Sequence, residues 1–176
     1  LTFSIYEDKI FVADNFGFIY SMSVKNGKLI WIKNHGIPLK SNLKIFNNKI
    51  FVINQDNRII CFDAKQGSKI WDVRSVSSFI KSQNLLSLAI SKEEDLVTLT
   101  SNGELLKIKA RNGRIIWSVN VAGSTFAHAT VFFKSSEIVI DGDNIIFSSS
   151  SSFFSFNLSN GYLNWVKDIG SKNTPI

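Results

Sequence analysis

The hexapeptide NGKLIW at 26–31 recurs three more times along the chain, as QGSKIW at 66–71, NGRIIW at 112–117 and NGYLNW at 160–165. In each copy a Trp follows a Gly by four positions, and all four Trp residues of the 176-residue chain occupy this position. Self-similarity of this kind indicates a repeat architecture. The repeated positions are Gly27, Trp31, Gly67, Trp71, Gly113, Trp117, Gly161 and Trp165.

The match extends backwards without a gap into four blocks of 22 residues, 10–31, 50–71, 96–117 and 144–165. Before each Gly, apolar residues recur at every second position, which is the period of a β-strand. A turn residue ten positions before the Gly predicts a hairpin, and the Asn-Gly or Gln-Gly pair predicts a second one. Each block therefore predicts three strands. The aligned residues are Gly17, Asn57, Gly103 and Ser151 at the first turn, and Phe11, Phe51, Val97 and Ile145 in the strand before it.

One further strand candidate precedes each block, at 1–6, 43–46, 85–90 and 137–140. Four antiparallel strands per repeat predict an all-β fold, a β-propeller, whose blades bury their faces against neighbouring blades. The Trp and Gly residues are interpreted as packing and turn devices, with the large aromatic side chain filling the space between adjacent sheets. We expect a single propeller fragment over 1–176, with blades at about 1–34, 40–74, 84–121 and 126–169.

The repeat ending in N-G-x-x-x-W resembles the blade motif of pyrroloquinoline-quinone-type β-propellers. The copy FDAKQGSKIW resembles it most, with Ala64, Gly67 and Trp71 on matching positions, and the resemblance covers all four repeats. Propellers have about four to eight blades, and this family normally has about eight, so the resemblance implies part of a larger seven- or eight-bladed propeller. The ending NTPI resembles the segment IPLKSN that precedes the second block, which favours an interior or partial fragment.

This fold is used by quinone-dependent dehydrogenases and by non-catalytic scaffolds. The dehydrogenases of this family bind quinone and calcium with acidic and polar side chains, and many have two adjacent cysteines beside the cofactor. This sequence has one Cys and no Glu, Asn and Asp set with calcium-ligand spacing, so we expect no cofactor and no metal. Its short, undecorated blades are more similar to the non-catalytic branch, which includes a lipoprotein of the outer-membrane β-barrel assembly machinery.

That resemblance implies a scaffold, not an enzyme, in the periplasm and attached to the outer membrane by a lipid anchor outside this chain. The partners it implies are the assembly machinery and unfolded outer-membrane proteins. Edge strands can accept an extended peptide, although the sequence does not indicate which edge. The long segments 72–95 and 118–143 are candidate contact regions. The alternatives are a fragment of a quinone-dependent dehydrogenase, with catalytic residues elsewhere, and a propeller with a sugar or peptide ligand.

No set of polar side chains in the sequence indicates catalysis. His35 and His128 are not spaced as a metal-binding pair, and each is predicted to lie in a loop. The serine run 148–152 overlaps the first turn of the fourth block and predicts a polar hairpin tip, because no G-x-S-x-G motif is present.

Two other features indicate ordinary structural roles. The acidic cluster Glu93, Glu94 and Asp95 predicts a solvated turn, because adjacent residues of an extended segment point to opposite faces. The lone Cys61 excludes an internal disulfide and predicts a buried, unreactive thiol. The net charge of +6 comes from scattered Lys and Arg residues, so a nucleic-acid partner is not indicated.

Overall fold

The computed structural model describes residues 2–74, 85–121 and 133–170, and these residues form four four-stranded antiparallel sheets. Each sheet is a meander, because its strands are paired in sequence order. Sheet 1 contains β1 (Thr2–Tyr6), β2 (Lys9–Ala13), β3 (Phe18–Ser23) and β4 (Leu29–Asn34). Sheet 2 contains β5 (Lys44–Phe46), β6 (Lys49–Ile53), β7 (Arg58–Asp63) and β8 (Lys69–Arg74). Sheet 3 contains β9 (Ser87–Ile90), β10 (Asp95–Leu99), β11 (Glu104–Lys109) and β12 (Ile115–Asn120). Sheet 4 contains β13 (Val139–Asp141), β14 (Asn144–Ser148), β15 (Phe153–Asn157) and β16 (Leu163–Lys167).

The predicted fold class is confirmed: the protein is all-β, and its sheets are propeller blades. A strand lies within or overlaps each of the four candidates before the blocks. The described residues contain no helix long and apolar enough to cross a membrane.

The chain divides into two compact units, Leu1–Leu85 with sheets 1 and 2 and Leu86–Ile176 with sheets 3 and 4. In the first unit the two sheets bury an apolar layer that includes Phe11 and Ile19 from sheet 1 and Ile50 and Phe62 from sheet 2. Each of these side chains is fully buried. Burial of one such side chain contributes roughly 1.5–3 kcal/mol, so the packing of sheet 1 on sheet 2 is a main source of stability of this unit. The second unit has an equivalent layer of Val97, Val119, Leu105, Phe147 and Phe156.

The gapless alignment is wrong in the first strand of the fourth block. In sheet 1 Phe11 pairs with Ser21, whereas in sheet 4 the residue opposite the equivalent Ser155 is Ile146, not Ile145. The reason is the hairpin before the third strand: the last pair is Ala13 with Ile19 in sheet 1 but Ser148 with Phe153 in sheet 4, so one residue fewer lies between the paired residues of sheet 4. A one-residue shift moves every side chain of a strand to the other face, so Ile145 and Phe147 share a face with Phe156.

Candidate functional site

In the first unit, Trp31 of β4 packs on the turn between β7 and β8. A Cβ placed on Gly67 would lie 2.7 Å from the Trp31 ring, and Gly67 has a φ of +71°. The Trp31 indole Nε1–H donates a hydrogen bond to the Ala64 carbonyl oxygen at 3.3 Å. Only glycine leaves room for the ring in this backbone conformation, so the Gly and the Trp of the motif meet across two sheets.

The second unit repeats this contact. A Cβ on Gly161 would lie 2.7 Å from the Trp117 ring, and the Trp117 Nε1–H donates to the Leu158 carbonyl oxygen at 3.2 Å. In both units the Trp of one sheet covers the Gly of the next sheet and bonds to the carbonyl three residues before that Gly. We call this arrangement the Trp–Gly contact.

A β-bulge sets the direction of each Trp. In every sheet the register between the third and fourth strands shifts by one residue just before the Trp, as at Ser21/Met22 in sheet 1. A bulge re-aims the following side chain. It places Trp31 opposite Ser21, on the same face as Phe11, and the two rings lie 6.0 Å apart. The turn before the bulge is closed by a hydrogen bond from the Gly27 amide to the Ser23 carbonyl, with the same bond at Gly67, Gly113 and Gly161.

Gly27 and Trp165 differ from the other residues of the motif. A Cβ on Gly27 would have no heavy atom within 4 Å, and Trp165 is 40% exposed. The Trp165 ring lies 5.5 Å from Phe153 of its own sheet. Trp71 similarly lies 6.0 Å from Phe51 of its own sheet, and Gly113 has a φ of +75°.

The fourth strand of each sheet is an edge strand in the part of the chain that the structure describes. Equivalent isoleucines on three of these strands are exposed: Ile30 is 47%, Ile70 45% and Ile116 37% accessible. Edge strands offer unpaired main-chain groups, and apolar side chains beside them favour pairing with another extended chain. These edges are therefore a candidate surface for contact with a partner.

His35 lies in the loop after β4, as the sequence predicts. Its ring centroid lies 3.9 Å from that of Phe62, and its buried Nε2 has no hydrogen-bond partner among the described residues. Burial, with smaller effects from Lys33 and Lys69, lowers the pKa of His35, so the neutral ring is favoured. His128 lies outside the described residues. The described residues contain no group of three His, Cys, Asp or Glu side chains placed to hold a metal ion.

Cys61 is buried in β7 and is a free thiol, as predicted. Burial raises the pKa of this thiol to about 12. The serine run ends β14 and forms the hairpin loop, where the Ser149 amide donates to the Ser152 carbonyl at 2.7 Å. Parts of the candidate contact regions, 75–84 and 122–132, lie outside the described residues.

The predicted solvated turn at the acidic cluster is wrong for Asp95. Asp95 is 2% exposed, and its carboxylate lies 3.4 Å from the Lys107 ammonium and 2.9 Å from that of Lys109. Glu93, which is largely exposed, also pairs with Lys107 at 2.9 Å. The burial arises because Asp95 begins β10 directly opposite Lys109, and two lysines on β11 supply the opposite charge. The sequence pattern did not reveal this cross-strand pairing.

The four meander sheets are the blades of a β-propeller, and within each unit the two blades are joined through the tryptophan of one repeat and the glycine of the next. The sequence profile of the outer membrane protein assembly factor BamB matches residues 3–176. The chain belongs to this family.

Known proteins with similar sequences or structures agree with this family and fold. The BamB of Moranella endobia (strain PCIT) is 23% identical over 129 residues, which cover 67% of this chain and 32% of that protein. The crystal structure of BamB from Moraxella catarrhalis matches 96% of this chain and 48% of its own, with a TM-score of 0.72 and 14% identity. The chain therefore spans about a third and about half of the length of these two relatives.

Two solved structures outside BamB have the same fold. The computationally designed Ika8 protein matches 98% of this chain and 49% of its own, with a TM-score of 0.74 and 12% identity. A quinohemoprotein alcohol dehydrogenase of Pseudomonas putida HK5 matches 95% of this chain and 34% of its own, with a TM-score of 0.71 and 13% identity. At these identities the likeness concerns the fold alone.

Proposed function

We propose that this chain is a non-catalytic β-propeller scaffold that binds other proteins during outer-membrane β-barrel assembly. The observation that carries the proposal is the match to the BamB family over residues 3–176. The four sheets would be the blades, with the boundaries expected from the sequence. The proposed location is the periplasm, with attachment to the outer membrane through a lipid anchor outside this chain.

The proposed mechanism is strand addition at the fourth strand of a blade. A nascent barrel strand is extended, alternates apolar and polar side chains and needs partners for its main-chain groups. The exposed edges β4, β8 and β12 offer such partners beside Ile30, Ile70 and Ile116. The proposed partners are unfolded outer-membrane proteins and the assembly machinery, and the segments 72–95 and 118–143 remain proposed contact regions.

A binding assay with purified components tests this proposal. The probes are a peptide of about ten residues with the alternating pattern of a membrane β-strand and the purified barrel subunit of the assembly machinery. The variants Ile30→Lys, Ile70→Lys and Ile116→Lys place a charge on an edge and should weaken binding of the peptide, because charged edges oppose strand addition.

Phe16→Lys is the matched control, since Phe16 is 78% exposed but lies in a hairpin loop and not on a fourth strand. It should bind like the unmodified chain. Equal binding by all four variants would contradict the edge mechanism, and no binding of either probe by the unmodified chain would contradict the scaffold role.

A second candidate is a fragment of a quinone-dependent dehydrogenase, which is favoured by the fold shared with the Pseudomonas putida enzyme. The measurement that separates the two is the content of quinone and calcium in the complete parent protein. Stoichiometric quinone and calcium would favour the dehydrogenase, whereas recovery of the assembly machinery without them would favour the scaffold.

A further inference from the structure

The turn between the third and fourth strands holds an Asn-Gly pair in three of the four repeats: Asn26-Gly27, Asn112-Gly113 and Asn160-Gly161. Asparagine followed by glycine is especially prone to deamidation, because glycine has no side chain to keep its amide nitrogen away from the preceding carboxamide. The three pairs have the same local chemistry. Their reactivity in the folded chain therefore depends on what surrounds each turn.

The first and the last of these turns are closed in the same way. The Gly27 amide donates to the Ser23 carbonyl oxygen at 2.9 Å, and the Gly161 amide donates to the Asn157 carbonyl oxygen at 2.9 Å. The glycine amide nitrogen is the atom that attacks the asparagine side chain in deamidation. Since this nitrogen is hydrogen-bonded in both turns, each turn has to open before it can react.

The two asparagines also have similar surroundings. The side-chain oxygen of Asn26 accepts a hydrogen bond from the Lys28 amide at 3.1 Å, and that of Asn160 accepts one from the Tyr162 amide at 2.9 Å. Both asparagines are exposed. The Asn160 amide has one additional bond, to the side-chain oxygen of Asn157 at 3.1 Å.

The two glycines differ in what covers them. A Cβ on Gly161 would lie 2.7 Å from the Trp117 ring, and Gly161 is buried. A Cβ on Gly27 would have no heavy atom within 4 Å, and Gly27 is exposed. Their φ values of +74° and +67° are alike, so the backbone conformation does not distinguish them. The Trp117 ring is the difference that involves the reacting glycine itself.

Deamidation needs solvent at the glycine nitrogen and a change of backbone conformation. The nitrogen loses its proton to water or hydroxide and attacks the side-chain carbonyl carbon of the asparagine. The new bond from nitrogen to Cγ replaces the bond from Cγ to the side-chain nitrogen, which leaves as ammonia, and a cyclic imide remains. Water then opens the imide at either carbonyl and gives aspartate or isoaspartate.

We propose that the Trp–Gly contact controls a modification site: Trp117 suppresses deamidation of Asn160 in the folded chain, whereas Asn26 deamidates. The seated ring excludes water from Gly161. It also holds the turn closed, because the Trp117 Nε1–H bonds to the Leu158 carbonyl oxygen within the same turn. Only molecules whose turn has opened react, and local opening costs more where more buried contacts are broken.

The reaction is irreversible and damages the contact that prevents it. Isoaspartate inserts a methylene group into the backbone between residues 160 and 161, so the turn no longer has the length that the bond from Gly161 to Asn157 closes. The glycine then loses its place under the Trp117 ring. A closed junction therefore stays chemically intact, whereas a junction that opens often accumulates isoaspartate and stays open.

The test is the rate of deamidation at Asn26 and Asn160 in the 176-residue chain, followed by mass spectrometry of chymotryptic peptides and by enzymatic methylation of isoaspartate. Each rate is divided by the rate at the same residue in the urea-unfolded chain, which corrects for sequence effects. The corrected rate at Asn26 should exceed that at Asn160 by about tenfold or more, because reaction requires the open turn. Equal corrected rates overturn the proposal.

Three variants separate the ring from other effects. Trp117→Ala removes the ring and should bring the corrected rate at Asn160 close to that at Asn26. Trp117→Phe keeps an aromatic ring and should retain most of the protection. Trp31→Ala is the matched control, because Trp31 makes the same contact with Gly67 in the other unit, and it should leave the rate at Asn160 unchanged.

Unfolding of the second unit would also expose Asn160, so the variants need an internal measure of folding. Asn102-Gly103 is a further Asn-Gly pair in this unit, in the hairpin between β10 and β11. Its rate should not change in Trp117→Ala. If residues 102 and 160 both accelerate, Trp117→Phe and the comparison of Asn26 with Asn160 in the unmodified chain still decide. A folded Trp117→Ala chain in which Asn160 reacts no faster would overturn the proposal.

Discussion

Asp95 and Lys107 lie on adjacent strands of sheet 3 with their charged atoms 3.4 Å apart, and only 3% and 6% of the two side chains is exposed. Two buried charges of opposite sign depend on each other, because an ion left in the interior without a partner is strongly destabilising. Lys109 and Glu93 extend the pair towards solvent.

Asp95→Asn should therefore lower the free energy of unfolding by about 3 kcal/mol, since Lys107 stays buried with Glu93 as its remaining counter-charge. The measurement is urea denaturation. Asp8→Asn is the control, because Asp8 is 79% exposed and pairs with Lys9 at the surface, where solvent screens the pair and its loss should barely change stability. Equal losses for both variants would show that the buried pair does not stabilise the sheet.

Comparison of Gly67→Ala with Gly27→Ala should separate two costs of a side chain at the turn: backbone strain at positive φ, which both variants share, and the clash with the Trp31 ring, which only Gly67→Ala has. Both positions have positive φ, which costs an alanine roughly 1–2 kcal/mol. At Gly67 the added methyl group also meets the Trp31 ring, and such overpacking costs a further ~1–3 kcal/mol. Denaturation at low protein concentration should show the larger loss for Gly67→Ala. Similar losses at the two positions would mean that the ring moves aside at little cost.

The Cys61 thiol should not react with disulfide or maleimide reagents in the folded protein at neutral pH. Burial raises the pKa of Cys61 to about 12, so the reactive thiolate is scarce as well as inaccessible. Labelling should begin only when urea unfolds the chain. Rapid labelling without urea would show that β7 opens locally.

The same pKa shift gives a pH dependence of stability. When the pH rises above the ordinary thiol pKa of 9.0, the thiol of the unfolded chain loses its proton, whereas the buried Cys61 thiol of the folded state keeps it. This contribution is complete below about pH 9 and is lost as the pH rises towards 12. The Cys61→Ala variant should therefore lose less stability than the unmodified chain over this interval in denaturation curves. Parallel loss in both proteins would contradict the shift.

His35 should make the first unit less stable in mild acid. Its pKa is lowered by burial and by Lys33 and Lys69, so the folded state binds protons less readily than the unfolded chain. Stability from this group is present above the ordinary pKa of 6.5 and falls as the pH drops below it. His35→Phe keeps a ring on Phe62 and should reduce the loss between neutral pH and pH 5. A pKa at or above 6.5 in an NMR titration would contradict this prediction.

The strands and turns were predictable from the sequence because each repeat carries its own local signals. The Asn-Gly pairs fix the second hairpin, and the Gly–Trp spacing marks the fourth strand in every copy.

The sequence predictions were wrong where the result depends on strand register, which decides which side chains of neighbouring strands face each other. The gapless repeat aligned Ile145 with Phe11, but the fourth repeat has one loop residue fewer, so Ile146 takes that position. No composition signal marks the loss of one loop residue. Asp95 was assigned to solvent because its counter-charges come from β11, fourteen residues away in sequence for Lys109. Contacts between residues distant in sequence depend on register, which propensity and spacing do not specify.

Each 22-residue block encodes both halves of the Trp–Gly contact, the turn that accepts a ring and the ring that fills the next turn. A gene duplication that copies one block together with its leading strand therefore adds a blade whose turn accepts the Trp of the preceding blade and whose Trp fits the turn of the following blade. Loss of one whole repeat likewise brings together a turn and a Trp that fit each other. Blade number in such a lineage can change by whole repeats without compensating substitutions at the new junctions, which makes the length of the array an evolutionary variable separate from the fold of its parts.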